Sequence, residues 1–209
     1  MIEYEKDDFS ARETVMEEAY IEEAVRERLI IAGIRELETH GLNDFSLRRV
    51  AVACGVSCAA PYRHFKDKDE LLLEIIRYIN RQWTLLQDQI KAAFANDELK
   101  CLVETGVAHI RFWIANPKFR SILLLDDPVP NSDRHIERNK ISNGIDQMVH
   151  AYCQKRGIPQ NTVTHKAYAF QALIYGSVLM LGNQELANDE TTFAMIRTQL
   201  EKILRDDNQ

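Results

Sequence analysis

Apolar residues recur every three or four positions along almost the whole of this chain, and nowhere do they alternate as a half-buried strand requires. Val25, Leu29, Ala32 and Leu37, flanked by Ile30 and Ile34, make the first such face. Leu47, Val50, Ala51 and Cys54 make a second, narrower one at i, i+3, i+4 and i+7. The breaks fall at residues that end helices: His40-Gly41, Gly55, Asn116-Pro117, and Gly157 with Pro159 beyond it. Ser46 and Ser57 stand where N-caps belong, and Asp67 with Glu70 three residues on resembles a capping box. The pattern predicts an all-α chain of about nine helices: 21–40, 46–54, 57–65, 68–95, 98–115, a short one at 118–125, then 134–156, 161–182 and 189–205.

Several function classes drop out. No apolar run reaches the roughly 18 residues of a membrane span. The acidic N-terminus lacks the basic start and apolar core of a signal peptide, so the expected location is the cytoplasm. The four cysteines, Cys54, Cys58, Cys101 and Cys153, form no disulfide framework and complete no zinc motif. No Ser-His-Asp or Cys-His order, carboxylate pair or phosphate-binding loop is evident. The expectation is a protein that is not an enzyme and needs no cofactor or metal. A helical enzyme with an unrecognised site and a protein-binding adaptor stay open as alternatives.

The net charge of −6 is unevenly spread. Residues 1–23 carry nine acidic and two basic side chains, and residues 1–20 are expected to be a mobile acidic tail. Residues 24–68 carry eight basic and five acidic ones, so the positive charge sits on the short helices. Three short helices, the last two separated by a Gly turn, make a helix-turn-helix, whose last helix suits a major groove. The alternative is a plain helical corner in a bundle.

The order of residues across Arg26 to Leu72, "RERLIIAGIRELETHGLNDFSLRRVAVACGVSCAAPYRHFKDKDELL", resembles the DNA-binding domain of TetR-family transcriptional regulators. Gly41, Ser46, Val50, Ala51, Gly55, Val56, Ser57, Tyr62, His64, Phe65, Lys68 and Leu71 carry the resemblance. It implies that Tyr62 and His64 bond DNA phosphates, that Lys68 contacts a phosphate, and that Ser46 presents a helix N-terminus to one. It places Ser57, Cys58 and Ala59 nearest the base edges, with Arg63 as a further reader. Arg48 and Arg49 reach either backbone or bases, or else form a solvated face. Two positions depart from the family pattern: Ala59 stands where Gly is frequent, and Pro61 where Leu is frequent.

The resemblance also implies a head at 21–68 and a ligand-binding, dimerising domain at 69–209. The partners are then a palindromic DNA operator, a second copy of the chain and a small-molecule effector, and the expected role is a repressor released by that effector. Val163, Ala167, Phe170, Ile174, Ser177 and Leu181 step at heptad spacing, as do Phe193, Ile196, Leu200 and Ile203. Two such seams from each chain suit a four-helix dimer bundle, unless both close inside one subunit. Trp83, His109, Phe112, Trp113, Met148, Tyr152, Tyr168 and Tyr175 are the candidate pocket lining, with plain core as the alternative for each. His109 and Arg111 on one apolar helix suit an anionic ligand, unless His109 is a satisfied core histidine.

Overall fold

In a computed structural model, residues 6–117, 119 and 132–205 are described. Among them are eight helices and no strand. They are α1 (Lys6–His40), α2 (Leu47–Cys54), α3 (Pro61–His64), α4 (Lys68–Ala93), α5 (Glu98–Ala115), α6 (Asp133–Gln154), α7 (Gln160–Gly182) and α8 (Glu190–Leu204). The helix expected at 118–125 lies outside the described residues, apart from Phe119. The chain divides into two units, Met1–Ile75 and Ile76–Gln209. The division falls within α4, which begins in the first unit and ends in the second.

The first unit is built on α1. Helix runs unbroken from Lys6, so Ile21 is no start, and 15 of the 20 residues expected to be a tail are helical. Leu29, Ile30, Ala32, Ile34 and Leu37 are buried on α1, the α2 stripe Leu47, Val50, Ala51 and Cys54 is buried against them, and Leu71, Leu72 and Ile75 of α4 complete the core. Polar ties fix the same packing. The Arg26 guanidinium meets the Glu74 carboxylate at 2.5 Å. The Cys54 thiol donates to the Arg28 carbonyl at 3.3 Å, and the Arg28 guanidinium donates back to the Cys54 carbonyl.

In the second unit α5 is central, packing on α6, α7 and α8. Gly106 permits the closest approach. A Cβ there would lie 3.0 Å from Leu200 and 3.1 Å from Phe170, so a side chain would need those two side chains to give by a few tenths of an ångström. Lys166, buried on α7, donates its ammonium to the carbonyls of Ile203 and Arg205 at 2.8 and 2.6 Å, satisfying the open end of α8.

This packing corrects the expected dimer seams. Val163, Ala167, Phe170, Ile174, Ser177 and Leu181 are buried within a single chain, as are Phe193, Ile196 and Leu200; Ile203 is half-buried. The seams close on each other and on α5 because that helix, apolar on most of its surface, needs both to cover it. The large exposed apolar residues of α7, Tyr168, Tyr175, Leu179 and Met180, lie beside the seam positions.

Candidate functional site

Helix α2 is capped at both ends by its own sequence. The Ser46 hydroxyl accepts from the Arg49 amide at 3.4 Å. At the other end Gly55 takes φ 68°, which allows the Val56 and Gly55 amides to reach the carbonyls of Ala51 and Val52 at 3.1 and 3.0 Å. The chain then tightens rather than entering an α-helix at once. Ala60 donates to Ser57 at 2.9 Å, Tyr62 to Ala59 at 3.2 Å and Arg63 to Ala60 at 3.1 Å, each a three-residue turn. The α-helix proper starts at Pro61.

That corrects the expected start of the third helix. Ser57 is not its N-cap; Ala60 holds that position, with no side-chain cap. The cause is Pro61, which has a fixed helical φ and lacks an amide proton, and so fits best as the first helical residue. The consequence is a clean division of faces. Pro61 and Phe65 are buried, with the Arg26 guanidinium 5.4 Å above the Phe65 ring. Ser57, Cys58, Ala59, Tyr62 and Arg63 are exposed together, Tyr62 at 62%, and His64 is half-buried.

Around this face the charged residues divide by partner. Arg48 and Arg63 are exposed. Arg49 is committed inward. Its Nε donates to Glu36 Oε1 at 2.7 Å, a second nitrogen lies 2.6 Å from the same oxygen, and the guanidinium also donates to the Asp44 carbonyl. Glu36, buried on α1, further accepts from the Ser46 amide at 3.1 Å and faces His40 Nδ1 at 3.2 Å. Burial pulls the Glu36 pKa up, but the Arg49 and Ser46 bonds and the nearby charges outweigh it and hold the carboxyl below its ordinary value. Lys68 is half-buried. Its ammonium donates to the Leu42 carbonyl at 2.6 Å and lies 5.6 Å from the Phe45 ring, which leaves two of its three protons for an outside acceptor. At the start of α4 the Asp67 carboxylate accepts from the Glu70 amide at 2.9 Å, while the Glu70 carboxylate accepts from the Lys66 amide.

The sequence reasoning missed Glu36. Its signal was available: Leu29, Gly33 and Glu36 step by four and three along the buried face of α1, so a carboxylate sits where an apolar residue belongs.

In the second unit the pocket candidates separate into three places. Trp83 of α4 and His109, Phe112 and Trp113 of α5 form a buried nest. Ring centroids lie 5.0 Å apart for Trp83–His109, 5.6 Å for Trp83–Phe112, 5.9 Å for His109–Trp113 and 5.3 Å for Phe112–Trp113. Tyr175 of α7 meets His109 edge-on at 6.4 Å and is 41% exposed. Met148 and Tyr152 instead line a separate cleft of about 270 Å³ with Phe94, Cys101 and Leu102. Tyr168 touches neither set among the described contacts and is 76% exposed. Arg111 does not join His109. It pairs with Glu190 at 2.6 Å and lies 4.1 Å over the Phe193 ring.

Two polar atoms inside the nest are unsatisfied: His109 Nδ1 and Trp113 Nε1 have no hydrogen-bond partner, with the residues 3% and 2% exposed. His109 is therefore not a satisfied core histidine. Each such atom costs about 1–3 kcal/mol. Burial pushes the His109 pKa down to about 3, so its ring is neutral at physiological pH. Among the described residues, no group of three or more His, Cys, Asp or Glu side chains is placed to hold a metal ion, and no helix is long and apolar enough to cross a membrane.

Comparison with known proteins agrees with this geometry. Residues 29–75 match the family of bacterial regulatory proteins described as the tetR family. The HTH-type transcriptional regulator AcrR of Shigella flexneri is 33% identical over 79 residues, 38% of this chain and 37% of that protein. The mitochondrial ubiquinone biosynthesis protein COQ9 of Bos taurus is 25% identical over 193 residues, 86% of this chain and 57% of that protein. The chain thus spans between about a third and three-fifths of these two relatives. A TetR family transcription regulator from Marinobacter aquaeolei VT8 shares the fold, with a TM-score of 0.68, 16% identity, and coverage of 88% of this chain and 97% of that one.

Proposed function

We propose that this chain, whose residues 29–75 match the tetR family of bacterial regulatory proteins, is a cytoplasmic repressor that binds operator DNA as a homodimer and leaves it when a small molecule occupies the second unit. The observation that carries the proposal is the face presented behind the Gly55 turn. Ser57, Cys58, Ala59, Tyr62 and Arg63 project outward from a segment anchored by buried Pro61 and Phe65. A base-reading edge so anchored enters a major groove as a rigid body.

Each residue then has a physical task. Arg63 reads base edges beside the small side chains of Ser57, Cys58 and Ala59. Tyr62 and His64 bond phosphates at the rim, and Arg48 adds a backbone contact. Ser46 and the free protons of Lys68 meet further phosphates. Arg49 acts indirectly, by holding the start of α2 against Glu36. The small residues leave few hydrogen bonds for base readout, so DNA shape supplies part of the selectivity.

The second copy docks on the exposed face of α7, where Tyr168, Ala172, Tyr175 and Leu179 step by four, three and four, with Met195 of α8 also exposed. Release runs through α4. This single helix carries Lys68 at its start and Trp83 in its middle, so a ligand that displaces Trp83 bears on the helix that follows the reading head. The shift in DNA affinity equals the ligand's preference for one state over the other. No catalytic role is assigned.

A second reading is favoured by the 193-residue likeness to a ubiquinone biosynthesis protein. In it the same helical body serves ubiquinone biosynthesis and the head engages no DNA. Selection of bound sequences from a random DNA pool, followed by anisotropy at several salt concentrations, separates the two. Repression requires an enriched palindrome and binding that weakens steeply with salt. An unenriched pool with no salt-dependent binding would leave the second reading.

A further inference from the structure

We infer that the nest of Trp83, His109, Phe112 and Trp113 is the effector site, and that it selects an uncharged aromatic molecule with a single oxygen acceptor, of the aryl-ketone type. The inference rests on the proposal that the second unit binds an effector. It goes further by fixing the place and the chemical class.

Four observations point the same way. The rings come from two helices, α4 and α5, with Tyr175 of α7 at the solvent side, so a flat apolar molecule that parts the packed rings beside Tyr175 would meet aromatic faces. Trp113 Nε1 is a donor with nothing to donate to, and a ligand oxygen is the atom it lacks. His109 Nδ1 is one helical turn away and equally unsatisfied; according to its tautomer it either donates to the same oxygen or accepts a hydrogen bond from a ligand hydroxyl. Finally, among the described residues no cation serves the nest. His109 is neutral, and Arg111, on the same helix, is engaged with Glu190 and Phe193. A carboxylate here would sit buried without a counter-charge. The cleft beside Met148 and Tyr152 is a weaker candidate, because its Tyr152 ring is stacked under Arg156 and its lysine Lys155 is paired with Glu98.

Keeping two unsatisfied polar atoms in a buried core is a stability cost with no structural return. The same atoms become selective when a partner arrives, because a site with an unpaired donor discriminates against a ligand lacking the acceptor.

The test uses the full chain and three probes of one shape: 2-acetylnaphthalene, 2-ethylnaphthalene and 2-naphthoate. Affinity is read by calorimetry. Tryptophan fluorescence reports the place, since both tryptophans of the chain lie in the nest. The ketone is expected to bind about tenfold tighter than the hydrocarbon, and tighter than the carboxylate. Trp113→Phe, which keeps a ring and removes the donor, is expected to abolish the gap between ketone and hydrocarbon. His109→Phe is expected to raise the melting temperature of the unliganded protein. Equal binding of ketone and hydrocarbon, tightest binding of the carboxylate, or no binding by any probe overturns the inference. So does a gap that survives Trp113→Phe; if that variant does not fold, the wild-type ranking decides. DNA affinity is measured separately: ketone binding that leaves it unchanged overturns the effector role while the site stands.

Discussion

Arg49 Nε donates to the Glu36 carboxylate at 2.7 Å, joining α2 to a residue buried on α1. The same carboxylate receives the Ser46 amide, so one acid fixes both the start of α2 and the arginine one turn inside it. A candidate DNA contact in the sequence is, in the folded unit, a strut.

Glu36→Gln keeps the shape and removes the charge. It is expected to cost about 1–3 kcal/mol in urea unfolding at neutral pH, because the Arg49 guanidinium loses its charged acceptor. The pH dependence follows from the direction of the shift. The folded pKa lies below the ordinary value of 4.5, so the group contributes stability above that value and loses it as pH falls through the folded pKa. Wild type should therefore lose stability more steeply than Glu36→Gln below about pH 4.5. Parallel acid limbs would show that Glu36 is not the group responsible.

The DNA face yields a contrast between two arginines and a tyrosine. Arg63→Ala should relax base preference at one operator position, seen in repeated pool selection. Arg48→Ala should weaken all sequences alike and lower the slope of log K against log salt by about 1. Tyr62→Phe, which removes only a hydroxyl from an exposed ring, should weaken binding uniformly and leave the salt slope unchanged. A change of base preference in Arg48→Ala would exchange the two roles.

Much of the first unit was legible because its determinants are local. Ser46, Gly55 and the stripe Leu47, Val50, Ala51 and Cys54 act within one turn of where they stand, and all appear as expected. The start of α3 was not legible from Ser57, since a good cap four residues before a proline competes with the proline itself, and the proline's fixed geometry won. The partner of the heptad seams was invisible for a different reason. Spacing says that a face is apolar, not whether α5 or a second chain covers it. The unsatisfied state of His109 and Trp113 likewise depends on everything packed round them, which no spacing reveals.

The two faces of α7 separate folding from assembly. Phe170→Ala removes a fully buried ring that closes on Gly106 and should cost about 3–5 kcal/mol. Leu179→Glu changes a residue 57% exposed on the neighbouring face. At concentrations where wild type is a dimer, it should sediment as a folded monomer with an unchanged helical spectrum. A dimer that persists in Leu179→Glu and in Tyr168→Glu would place the interface elsewhere.

The turn before the reading edge gives a final, purely backbone prediction. Gly55 holds φ 68°, and a Cβ built there meets nothing within 4 Å. Gly55→Ala therefore adds no clash with any neighbour. Its cost is the left-handed conformation alone, about 1–2 kcal/mol. Asn visits that region more readily, so Gly55→Asn should fall between wild type and Gly55→Ala in thermal unfolding. Operator affinity should follow only as far as stability does, because the carbonyls of Ala51 and Val52 keep their amide partners in either variant. Loss of DNA binding by a Gly55→Asn protein that melts near the wild-type temperature would mean that DNA backbone approaches the turn itself.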